Sequence, residues 1–173
     1  MTNRDHHEQA LRLGFIYEGE LVDAEGKVLD RFVDRNIIPQ AGINHIVGLI
    51  RGEASLLAPW YVGVYEGNYV PNSATSSADL QAGAQESVSY SETARPEWVD
   101  VYDGVQLIGN LASRAEFTFT AAKRLYGGFL CSNAGKGGNS GVLLSIARFA
   151  SPYDVPAGST FRLGVSISIV PAS

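Results

Sequence analysis

Cysteine occurs once in the 173 residues, as Cys131. A single thiol excludes an intramolecular disulfide framework and any multi-cysteine zinc site, so stability must come from packing or from assembly. Charge is also scarce: Asp, Glu, Lys and Arg make up 18% of the chain, against about 25% in an ordinary soluble domain. The charges that are present lean acidic, with 13 basic and 18 acidic residues and a net charge of −5. That balance leaves no basic face to neutralise phosphates, which excludes a sequence-independent nucleic-acid binder. No apolar run approaches the roughly 18 residues that a membrane helix needs, so no membrane partner is expected. The N-terminus, Met1-Thr2-Asn3-Arg4-Asp5-His6-His7-Glu8-Gln9, is polar where a secretory signal is apolar, which predicts a protein kept in the cytosol or leaving it by another route.

Hydrophobic residues, at 45%, are ample for one domain of ordinary size. Many apolar residues under a charge-poor surface point to burial against partners, and a homo-oligomer is expected. Residues 1–11 carry mixed charge without an apolar period and read as a flexible or partner-ordered arm, leaving 12–173 as a single β domain. Leu13, Phe15, Tyr17 and Leu21 alternate, and after Asp23-Ala24-Glu25-Gly26 a second β-rich run spans 27–33, which predicts a hairpin. Pro39 followed by Ile43, Ile46, Val47 and Ile50, with Gly52 beyond, predicts one short helix near residues 40–51, with Gly42 and Gly48 speaking against it.

Residues 60–65 read as a strand, and 66–86, rich in Gly, Ser, Ala, Asn and Thr, as a long surface loop. Short strands are expected at 87–90, 98–102 and 105–107, broken by Pro96 and Asp103-Gly104. Phe117 and Phe119, the apolar runs 125–131 and 142–149, and the closing segment follow as further strands. The closing segment has the most regular period in the chain. Phe161, Leu163, Val165, Ile167 and Ile169 fall on an inward face, and Arg162, Gly164, Ser166 and Ser168 on a solvent face. The fold predicted is mainly β, a β-sandwich or jelly-roll-like domain with one short helix.

Gly138-Asn139-Ser140-Gly141 resembles the nucleophile segment of chymotrypsin-like serine proteases. The order His45, then Asp79, Asp100 or Asp103, then Ser140 permits a triad. His45, however, falls on the predicted helix, and Val142 stands where a further glycine is typical, so the preferred reading is a flexible turn built on Gly135, Gly137, Gly138 and Gly141. The spacing of Gly135-Lys136-Gly137-Gly138 matches no phosphate-binding loop, and a strand rather than a helix follows it. His6 and His7 beside Asp5 and Glu8 are metal-ligand types on a tail with no fixed geometry. Cys131 lies in an apolar strand and reads as an inert core thiol. Glu18, Glu20, Asp23 and Glu25 alternate as a solvated face does. No catalytic residue, metal ligand or cofactor is therefore assigned. Trp60, Tyr65, Tyr69, Trp98 and Tyr102 flank the long loop as possible interface residues, or as a sugar platform in a carbohydrate-binding module.

The segment 34–46, Asp-Arg-Asn-Ile-Ile-Pro-Gln-Ala-Gly-Ile-Asn-His-Ile, followed by Trp60-Tyr61-Val62-Gly63-Val64-Tyr65, resembles virion structural proteins of tailed bacteriophages. In those proteins a strand hairpin leads into an N-x-I … G-x-N helix and then a W-Y-V-G strand. Residues 114–119, 125–130 and 155–163 are similar to the same group, so the likeness covers most of the chain beyond the arm. It implies a non-enzymatic virion component, assembled in the bacterial host cytoplasm, with the major capsid protein or other virion proteins as partners. A capsid decoration or cement protein and a tail or neck adaptor both fit. Decoration is preferred because the chain is short and shows no receptor-binding tip, fibrous repeat or second domain.

Overall fold

The computed structural model describes residues 11–171, so the predicted arm, apart from Leu11, and its histidines lie outside the described residues. Nine strands and two helices follow in the order β1 (Leu11–Val22), β2 (Val28–Arg35), α1 (Gln40–Arg51), β3 (Tyr61–Tyr65), α2 (Asp79–Ala82), β4 (Val101–Tyr102), β5 (Leu107–Gly109), β6 (Ala115–Thr118), β7 (Lys123–Cys131), β8 (Leu143–Val155) and β9 (Thr160–Pro171). They form two antiparallel sheets. One runs β2-β1-β9-β5-β4 with β6 also paired to β9, and the other runs β3-β7-β8. The mainly β, sandwich-like fold is thus as the alternation predicts.

β9 is the spine of the larger sheet. It pairs with β1 along its whole length, and its other edge takes β6 at 160–163 and β5 at 166–168. Between the sheets lies the main core, with Phe15, Tyr17, Val62, Val64, Phe117, Leu125, Leu130, Phe161, Leu163 and Val165 all buried. Asn36 ties the two sheets together. Its Oδ1 accepts from the Phe15 N–H at 3.1 Å, and its Nδ2 donates to Ser145 Oγ at 2.8 Å.

The smaller sheet is buried on both faces, which explains why residues 127–131 are apolar without alternation. Leu130 faces the main core, whereas Phe129 and Cys131 point the other way into a second cluster with Tyr65, Leu80, Ala84, Leu143 and Ile146. Leu80 and Ala84 belong to the stretch expected to be a long surface loop. That stretch is instead a third layer over the sheet, containing the additional helix α2, closed at its base by backbone bonds from Glu66 to Gln85 and from Gly67 to Ala84, and joined to the rest of the fold by Gln40 N–H to the Ser73 carbonyl and Ser77 Oγ to the Gly141 carbonyl.

α1 forms at the predicted residues despite its glycines, because Gly42 sits against the backbone of Leu144. A Cβ at Gly42 would come within 2.5 Å of the Leu144 carbonyl oxygen. The left-handed Gly52 at φ 70° ends the helix as expected. Four further expectations differ from the structure. Residues 87–90 make only one isolated bridge, at Tyr90, the strand expected at 98–102 shrinks to β4, and the one expected at 105–107 shifts to β5, because Asp103 closes the turn between them. Ser166 is only 2% exposed, and the chain after β5 folds over that face of β9, with Leu111 and Arg114 against Gly164.

Candidate docking cleft

At the end of the sandwich where β1 begins and β9 ends, α1 stands off from the larger sheet and leaves an open cleft of about 290 Å³. Its helical wall is His45, Ile46 and Leu49, continued by Leu56, Leu57 and Trp60. Its floor is Leu13, Phe15, Ile108, Ile167 and Ile169, with Leu144 from the smaller sheet. No Asp, Glu, Lys or Arg is among these twelve residues. Leu56 is 82% exposed, Ile169 44% and Leu49 38%, so the rim offers large apolar groups to solvent. The cause is visible in α1 itself, which carries more apolar residues than one face can bury. Ile46 packs on the core while Val47 and Ile50 point outward.

His45 is a buried polar group in the cleft wall. The residue is only 9% exposed, its ring stands edge-on to Trp60 at 5.5 Å between centroids, and its Nε2 has no hydrogen-bond partner. Leaving such an atom buried and unpaired costs about 1–3 kcal/mol. Among the described residues no group of His, Cys, Asp and Glu is arranged to hold a metal ion.

Of the five aromatic residues assigned to an interface, only two meet at this end. Trp60 walls the cleft, and Tyr102, exposed by 57%, lies directly across from the floor residue Ile108. Tyr65 and Trp98 are core residues and correct that assignment. The Tyr65 hydroxyl donates to the Ala147 carbonyl at 3.0 Å and the Trp98 indole to Val165 at 2.8 Å, so each ring is buried with its polar tip already bonded. Tyr69 is half-buried, its hydroxyl 3.1 Å from Thr75 Oγ1.

The structure distributes the candidate triad rather than assembling it. Ser140 Oγ accepts a bond from Asn133 at 2.7 Å, His45 belongs to the cleft, and Asp79 caps Ser76 through its backbone N–H and hydroxyl. The glycine-rich loop around Ser140, expected to be flexible, is pinned by Arg95. This side chain is fully buried and spends all five guanidinium donors: two on Glu86 at 2.8 and 2.7 Å, and the others on Cys131 Sγ and the carbonyls of Asn133 and Gly138. Burial pushes against the guanidinium charge, but the Glu86 bond and the neighbouring groups outweigh it and hold its pKa above the ordinary value. Burial also pushes the Cys131 thiol up. Neither Arg95 nor Glu86 was singled out in the sequence, where both look like surface charges. For α1, the excess of apolar residues over one helical stripe was the available signal. No protein-family model matches the chain, and none of the curated proteins matches it.

Proposed function

We propose that this chain is a non-enzymatic structural component of a tailed-bacteriophage virion, a capsid decoration protein that binds across shell subunits through its apolar end. The observation that carries the reading is the uncharged cleft with Leu49, Leu56 and Ile169 exposed on its rim. Large apolar groups gathered around a concavity mark association surfaces, and a charge-poor domain has little else to offer a partner. The resemblance of residues 34–46 and 60–65 to virion structural proteins supplies the kind of assembly. Many copies on one shell make a modest surface sufficient, because neighbouring contacts reinforce one another.

The test is to produce particles without this chain, add purified protein, and count bound copies by electron microscopy. Leu56→Asp alters a side chain that the fold itself leaves in solvent, so it should keep the domain intact and lower occupancy at least tenfold. Leu29→Asp, exposed on the distant β2, should leave occupancy unchanged. Equal occupancy of wild type and Leu56→Asp would sink the cleft as the docking surface. Binding to tails and not to shells would replace decoration by the tail or neck reading.

A further inference from the structure

The apolar cleft is bordered by an edge of β1 that no strand covers among the described residues. β1 pairs with β9 from Leu11 to Val22, but its pairing with β2 reaches only to Ile16, opposite Arg35. Beyond that point the chain leaves the sheet, and Ile37 bridges to Ile146 of β8 instead. Asn36, next in register, satisfies the Phe15 N–H with its side chain at 3.1 Å. Leu13 has no such substitute among the described residues.

The direction of its backbone groups follows from the ladder. Directly opposed residues of an antiparallel pair alternate between exchanging both hydrogen bonds and turning both groups away. Tyr17 faces Val165, whose N–H and C=O are taken by Asn110 on the far side of β9. Ile169, opposite Leu13, likewise turns away and donates to the Gln106 carbonyl at 3.1 Å. Leu13 alternates in step with Phe15 and Tyr17, so its N–H and C=O point out of the sheet edge, toward the side where β2 has ended. A donor and an acceptor side by side on an open edge form a template for an extended chain.

Both faces of this edge offer room for side chains. On the inner face Leu13 and Phe15 line the cleft beside α1. On the outer face lies a groove of about 350 Å³ lined by Gly14, Ile16, Arg35 and Val170. A Cβ at Gly14 would meet nothing within 4 Å, and Arg35 is exposed and in no ion pair among the described residues. A residue opposite Leu13 shares its face and enters the cleft, whereas its neighbour, opposite Gly14, lies over the groove beside Arg35. The edge therefore suits an extended segment with a large apolar residue next to an acidic one.

We infer that a shell subunit docks here by strand addition: an extended segment pairs antiparallel with β1 at Leu13, places an apolar side chain in the cleft and sets a carboxylate against Arg35. This rests on the virion reading above and names how the partner is held at that cleft. In such contacts main-chain bonds supply affinity, and pockets for alternate side chains supply specificity. The open stretch of β1 is short and offers few bonds, so a single contact is weak. Many copies engaged on one shell make it sufficient.

Replacing the Leu13 amide by an ester, through leucic acid incorporated at that position, deletes the outward N–H and keeps the side chain and the ladder to β9. Occupancy on particles prepared without the chain should fall about tenfold. Arg35→Glu should lower it as well, and both proteins should melt close to wild type. A probe peptide of alternating valine and aspartate reads the edge without particles. At about 1 mM peptide, the amide signals of Leu13, Gly14 and Arg35 in the isotopically labelled full chain should shift, and the same peptide N-methylated at every residue should leave them in place. Wild-type occupancy of the ester protein overturns strand addition and leaves the virion reading standing, as does a Leu13 amide unmoved by the probe. A probe that shifts Leu13 in a chain that binds no particle overturns the virion reading alone.

Discussion

Replacing Arg95 by methionine removes the most heavily committed side chain in the molecule while keeping much of its apolar volume. The change strands Glu86, whose carboxylate is fully buried and would keep only the bond from the Gly137 N–H at 3.0 Å. Breaking a buried ion pair by removing one partner costs about 3–5 kcal/mol. The Gly138 carbonyl also loses its donor and the Asn133 carbonyl keeps only the Cys131 thiol, together adding on the order of 1 kcal/mol if they stay dry. Removing both charges, as Glu86→Leu with Arg95→Met, eliminates the stranded carboxylate and leaves mainly the orphaned carbonyls. The double variant should therefore be less destabilised than Arg95→Met alone, with a coupling of about 2 kcal/mol or more against the sum of the single changes. Urea unfolding with linear extrapolation measures all four proteins of the cycle. Additive costs, or a cost below about 1 kcal/mol for Arg95→Met, would refute the buried pair as the element that pins the 133–141 loop.

Ser166→Asp should be as damaging as Val165→Asp, about 3 kcal/mol or more by the same unfolding assay, because both faces of β9 are covered there. A mild Ser166→Asp would mean that the chain after β5 does not cover that face. Leu80→Ala should cost about 2–5 kcal/mol, the value for a core leucine, and a loss under 1 kcal/mol would show that 66–86 is a loop and not a layer. Cys131 should resist a thiol reagent in the native protein and react fully in denaturant, since burial both hides the sulfur and raises its pKa, keeping the reactive thiolate scarce. Native labelling at the denatured rate would contradict its placement.

Period and punctuation made β1, β2, α1, β7, β8 and β9 legible in the sequence. β1 and β9 alternate, α1 repeats at helical spacing, β7 and β8 are continuous apolar runs, and Gly26 and Gly52 mark real left-handed turns. The 66–86 layer was not legible, because only Leu80 and Ala84 of its core contacts are apolar and the polar residues around them satisfy one another locally. Ser166 was misread for a related reason. A polar residue in the outward register was assigned to solvent, but the segment around Leu111 and Arg114, some fifty residues earlier in the chain, folds over that face. Tyr65 and Trp98 looked like surface anchors because tyrosine and tryptophan carry a polar tip, and only the coordinates show those tips bonded to Ala147 and Val165 inside the core. The cleft combines residues from β1, α1, the 56–60 segment, β5, β8 and β9, so no single stretch could reveal it, although the surplus of apolar residues in α1 hinted at an unmet partner.

The most direct test of the account is a reconstruction of the intact particle at a resolution that places side chains. This domain should appear in many copies on the outer shell, with Leu49, Leu56 and Tyr102 covered by protein. A chain absent from the particle, or present with that cleft open to solvent, would contradict it.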